Sequence, residues 1–91
     1  MSIQWLFDVI ENRKQNPIEK SYTSSLFAEG LPKIAQKVGE EGTEVVVAAL
    51  AQDDQRLIEE IADLTYHTLV LLSARGLTPA AVLAELEKRH K

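Results

Sequence analysis

At 91 residues, with 45% apolar side chains, no cysteine and a net charge of −4, the chain has room for one small domain, spanning 1–91. A chain this short buries only about 60–65% of the surface it exposes when unfolded, so its core needs help from a metal or a partner subunit. The missing cysteines exclude disulfides and thiolate-held zinc or iron–sulfur centres, and the acidic balance argues against gripping a nucleic-acid backbone.

No run approaches 18 apolar residues, which argues against a membrane span. The N-terminal MSIQWLFDVIENRK is acidic where a secretion signal needs a basic start. A cytoplasmic protein is expected.

Turn and cap signals divide the chain into helices. Ile3, Leu6, Phe7, Val9 and Ile10 recur at helical spacing, and their pattern stops before Asn16-Pro17. A short second helix follows Ser21-Tyr22-Thr23, carries Leu26 and Phe27, and ends at Gly30. Pro32 suits the first turn of a third helix running to about Ala51. Asp53-Asp54 caps a fourth, running to about Arg75 with Gly76 as its stop. Thr78-Pro79 opens a fifth, to about His90. Nothing alternates with period two. The expected fold is all-α, centred on two long antiparallel helices.

The charge is unevenly spread. Residues 1–39 carry five basic and four acidic groups and residues 64–91 four and two, while Glu40 to Asp63 holds eight carboxylates and one base, Arg56. These carboxylates are woven into an apolar pattern. Positions three and four apart share a helix face, and the stripe of the third helix reads Ile34, Val38, Glu41, Val45, Ala48. On the fourth it reads Leu57, Glu60, Leu64, His67, Leu71. Glu41 and Glu60 thus fill apolar slots, with Glu44 and Asp63 turned about 60° from them.

If the two helices pack antiparallel, the pairs face each other. Four ionised carboxylates in a half-dry place repel strongly, and a hard divalent cation, Mg²⁺ or Mn²⁺, relieves that repulsion. A solvated acidic edge explains the same spacing equally well. A di-iron bundle does not, since Glu60 is followed at i+3 by Asp63 and not by histidine.

Lys37 and Lys33 precede Glu41 by one and two turns, as helical ion pairs or as phosphate ligands. Arg13, Lys14 and Lys20 are further basic candidates. Gly39 and Gly42 inside a helix each cost about 1 kcal/mol against alanine, which suggests close packing or room for a ligand. On spacing alone, Ser21, Tyr22 and Thr23 read first as a helix cap, His67 as a core or supporting histidine, and Trp5 as core or interface.

Together, SYTSSLFAEGLPKIAQKVGEEGTEVVVAAL, EEIADLTYHTLVLLSARGL and AAVLAELEKRH resemble the phosphoribosyl-ATP pyrophosphohydrolase family, within the all-α nucleotide pyrophosphohydrolases that include the MazG type and dimeric dUTPases. The resemblance spans about Trp5 to His90 and is most specific at Ser21-Tyr22-Thr23, at Lys37 to Glu41, at Ala62-Asp63-Leu64 and at Tyr66-His67.

It implies Mg²⁺-dependent hydrolysis of phosphoribosyl-ATP to phosphoribosyl-AMP and pyrophosphate, in histidine biosynthesis. The family's metal motif falls on Glu41, Glu44, Glu60 and Asp63. Glu40 would orient the attacking water or ligate a second ion. Lys37, with Lys33, would counter charge on the phosphoryl group, and Ser21, Tyr22 and Thr23 would bind phosphate or ribose. Where the family commonly has a lysine after its Ser-Tyr-Thr segment, this chain has Ser24-Ser25, leaving Lys20 or Lys33 to serve. A homo-oligomer is also implied, most simply a dimer whose helices complete a four-helix core. Two other readings are a dUTP or NTP pyrophosphatase of the same fold and a non-catalytic helical dimerisation module.

Overall fold

In the computed structural model, which describes residues 1–90, the chain forms five helices: α1 (Ile3–Gln15), α2 (Tyr22–Glu29), α3 (Leu31–Ala51), α4 (Asp54–Ala74) and α5 (Pro79–Arg89). The expected all-α fold is the observed one, with each helix boundary set by local chemistry. Ser2, Ser21, Asp53 and Thr78 each accept a hydrogen bond from the backbone N–H three residues on, satisfying an otherwise orphaned donor. Pro32 and Pro79 lie in first turns, where a missing N–H costs nothing.

Gly30 joins α2 to α3 at φ 95° and ψ 175°, a conformation essentially reserved for glycine. A Cβ there would meet Pro32 Cδ at 3.9 Å, an ordinary contact, so the constraint is the backbone itself. Gly30→Ala should therefore cost about 1–3 kcal/mol, read as a lower urea midpoint. An unchanged midpoint would mean that the turn relaxes freely. Gly39 and Gly42 differ, because a Cβ at either meets nothing within 4 Å. Close packing within the chain is not what keeps them glycine.

Helices α3 and α4 share the most extensive interface. They run antiparallel around the Gln52-Asp53 turn, so Glu41 and Asp63, eleven residues to either side of Gln52, come level. Phe7 and Ile10 of α1, Leu26 of α2, Ile34 of α3, and Leu69 and Val70 of α4 form the buried core. That core sits where α1 and α2 cover the hairpin. Lys14 Nζ, paired with Glu11, donates to the Ser73 carbonyl at 2.8 Å near the α4 C-terminus. This contact ties Lys14 to the C-terminal end of α4.

Toward the hairpin turn the apolar residues lack cover: Val46, Val47, Leu50, Ile58 and Ile61 are all exposed, Leu50 by 84%. Trp5 is 53% exposed and so is not a core residue of this chain. The radius of gyration is 14.2 Å, against about 12 Å for a compact domain of this length. Among the described residues, no single helix is long and apolar enough to cross a membrane.

Candidate functional site

The hairpin brings three carboxylates together. One oxygen each from Glu41, Glu60 and Asp63 lie within 4.8 Å of one another. Glu41 and Glu60 are only 6% and 5% exposed, whereas Asp63 lies at the open edge.

Each buried carboxylate is held by a base one turn earlier on its own helix. Lys37 Nζ lies 3.6 Å from Glu41 Oε1, and an Arg56 Nη donates to Glu60 Oε1. The second oxygens, Glu41 Oε2 and Glu60 Oε2, are buried without a hydrogen-bond partner. A buried polar atom left unpaired costs about 1–3 kcal/mol, and more when charged. Two such anionic oxygens beside a third carboxylate are the donor set that a hard cation prefers. Chemically, the residues present fit such an ion.

Glu44 does not join this cluster. Three residues past Glu41, it turns outward, is exposed, and bounds a groove with Val47, Gln52, Arg56 and Glu60. The groove and the cluster share Glu60. Arg56, which spans Glu59 and Glu60, is the residue that sequence reasoning passed over. The Arg-x-x-x-Glu spacing, matching Lys37 to Glu41 on α3, was its signal.

Glu40 is exposed and paired to Lys37 at 3.6 Å. A hydrogen bond from Gln36 holds its carboxyl below the usual range, and the Lys37 charge adds to this against a smaller opposing effect of desolvation. Lys37 keeps its proton firmly: desolvation works against the charge, but Tyr22, Glu40 and Glu41 together outweigh it. Lys33 is half-buried and adds a further positive charge near Glu40.

The Ser21-Tyr22-Thr23 segment divides in function. The Ser21 hydroxyl accepts from Ser24 N at 3.1 Å as the cap of α2. Thr23 is buried and hydrogen-bonded to the Tyr66 hydroxyl. Tyr22 alone projects outward, 51% exposed, with its hydroxyl 2.8 Å from His67 Nε2. Desolvation raises the Tyr22 pKa; Lys37 opposes this while Glu41 and Asp63 reinforce it, which places the ring in the field of the cluster.

An all-α hairpin with a buried carboxylate cluster flanked by two cations is suited to holding a hard cation against an anionic substrate such as a phosphoric anhydride. A family profile described as phosphoribosyl-ATP pyrophosphohydrolase matches residues 4–90, and the chain belongs to that family. It is 51% identical over 89 residues to a phosphoribosyl-ATP pyrophosphatase of Clostridium botulinum (strain Kyoto / Type A2), covering 98% of this chain and 81% of that one. To the phosphoribosyl-ATP pyrophosphatase of Listeria monocytogenes serotype 4a it is 54% identical over 85 residues, 93% of this chain and 82% of that one. A histidine biosynthesis bifunctional protein of Oceanobacillus iheyensis is 49% identical over 81 residues, 89% of this chain but 38% of that one.

Proposed function

We propose that this chain hydrolyses phosphoribosyl-ATP to phosphoribosyl-AMP and pyrophosphate, as the second step of histidine biosynthesis, with Mg²⁺ or, in its place, Mn²⁺. The observation that carries the metal reading is the unpartnered buried oxygen on each of Glu41 and Glu60, whose carboxylates cluster with that of Asp63. Those three residues would hold the ion, and Glu44, across Glu60 in the groove, would serve it from the open side. When bound, such an ion neutralises phosphate oxygens, stabilises the pyrophosphate leaving group and acidifies water for attack between the α and β phosphates.

The remaining side chains position and balance charge. Lys37, fully protonated and 26% exposed in its side chain, and Lys33 behind it supply positive charge where the phosphoryl group reacts. Arg56 does the same from the groove side. Glu40 holds Lys37 in place. Its lowered pKa makes it a poor proton acceptor, so orienting water suits it better than taking a proton.

A pyrophosphate-release assay on phosphoribosyl-ATP, with and without Mg²⁺, tests the assignment. Turnover should require the metal and exceed that of dUTP and the common NTPs. A preference for any of those would transfer the site to another nucleotide pyrophosphatase. Cytoplasmic residence accords with such a role and is checked by cell fractionation.

A second copy of this chain is the proposed cover for the bare end of the hairpin. Val46, Val47, Leu50, Ile58 and Ile61 form an apolar face that a dimer would turn into a four-helix core. A change at a freely exposed surface residue normally alters stability by less than about 0.5 kcal/mol. Leu50→Glu should instead halve the mass measured by sedimentation equilibrium. A parent protein already monomeric at micromolar concentration would refute the dimer.

A further inference from the structure

One side-chain network occurs twice in the hairpin. Residues 36–44 and 55–63 share a pattern: Gln, a base, two spacers, Glu-Glu, two spacers and a further carboxylate. On α3, Gln36 Nε2 donates to Glu40 Oε2 at 3.1 Å, and Lys37 Nζ lies 3.6 Å from both Glu40 Oε1 and Glu41 Oε1. On α4, Gln55 Nε2 donates to Glu59 Oε2 at 3.2 Å, and the two arms of the Arg56 guanidinium donate to Glu59 Oε1 and Glu60 Oε1. In each copy the outer glutamate is exposed and the inner one is buried, with the Oε2 of the inner one unpartnered. An ordinary helical ion pair explains one copy. It does not explain why the two buried carboxylates, on separate helices, end in the same state: one oxygen held by a base, the other bare.

Hard cations differ in what they ask of a carboxylate. Mg²⁺ demands near-octahedral geometry, keeps several waters and takes few carboxylate oxygens. Ca²⁺ takes about six to eight oxygens and uses a carboxylate through one oxygen or through both. A carboxylate with one oxygen held by a base can give the other without disturbing that pair. To give both, it must first break the pair. Resting on the cation reading above, we propose that Arg56, steadied by Glu59, and Lys37, steadied by Glu40, are selectivity residues: they keep Glu60 and Glu41 to one ligand oxygen apiece and so favour Mg²⁺ over Ca²⁺. The two ions carry equal charge, so simple repulsion by a base weakens both alike. The number of oxygens each ion requires is what separates them.

Displacement of Mn²⁺ from the full chain, followed by electron paramagnetic resonance, gives the Kd of Mg²⁺ and of Ca²⁺ without substrate or turnover. Arg56→Gln should lower the ratio of the Ca²⁺ Kd to the Mg²⁺ Kd by about two- to fivefold, the equivalent of an exposed ion pair broken for one ion and kept for the other. Arg56→Lys makes the α4 copy match the α3 copy and should hold the ratio within twofold of the parent. Glu59→Gln leaves the cluster intact but unhooks the other arm of the guanidinium, and should lower the ratio by a smaller factor. A ratio that stays put in Arg56→Gln while both Kd values fall together would reduce Arg56 to plain repulsion and overturn the proposal, as would an Arg56→Lys protein that behaves like Arg56→Gln. A parent that binds no Mn²⁺ would remove the cation reading itself, and the selectivity with it.

Discussion

Glu41→Gln is expected to lower turnover of phosphoribosyl-ATP by at least about 100-fold at saturating Mg²⁺, the scale on which single preorganised electrostatic groups act. The substitution keeps the shape and removes the charge. Glu41 is 6% exposed, and while Lys37 lies 3.6 Å from its Oε1, its Oε2 has no hydrogen-bond partner, which leaves that oxygen for a bound cation. An amide in its place carries N–H donors that can meet the Glu60 or Asp63 carboxylate within the same 4.8 Å cluster. Without metal, the variant should therefore fold at least as well as the parent, which separates a lost reaction from a lost structure. Glu44→Gln, at an exposed position outside the cluster, should cost less. An unimpaired Glu41→Gln enzyme would rule out the metal-assisted mechanism, and equal losses at both positions would make Glu44 a full member of the ligand set.

Local periodicity made part of this site legible. Glu41 and Glu60 interrupt apolar stripes, and a residue in a stripe slot is buried whatever its chemistry, so both are interior. The antiparallel pairing followed from the two-residue turn between two 21-residue helices. Side-chain direction was not legible. Glu44 and Asp63 stand in the same relation to their buried partners by spacing, yet Asp63 meets the cluster and Glu44 turns to the groove. A rotation of about 60° leads toward the facing helix in one case and away from it in the other, and spacing alone does not give the sign.

Contacts between distant segments were hidden for a different reason. Tyr22 and His67 are 45 residues apart, and Thr23 and Tyr66 are 43 apart. Periodicity within α2 or α4 holds no information about which helices meet. The motif resemblance marked Ser21-Tyr22-Thr23 as one unit, whereas the fold gives its three hydroxyls separate partners: the Ser24 N–H in a cap, the His67 ring, and the Tyr66 hydroxyl in the core. Trp5 shows the converse. Its aromatic bulk suggested core or interface, and α1 leaves it half outside, which removes the core half of that reading.

The second large effect is thermal. A ligand that binds only the folded state stabilises it by RT ln(1 + [L]/Kd), about 2.7 kcal/mol at one hundred times Kd. A domain of 60–100 residues shifts its Tm by about 4–8 °C per kcal/mol, so saturating Mg²⁺ should raise Tm by roughly 10–20 °C at fixed protein concentration. The gain should vanish with a chelator and return when the metal is restored. It would arise because two buried oxygens of the cluster have no protein donor, a deficit that the ion removes and unfolding would also remove. Glu41→Gln should lose most of the gain, since its amide has already relieved the repulsion. A parent protein whose melting curve ignores Mg²⁺ would leave the acidic cluster without a cation and favour a helical module that associates but does not catalyse.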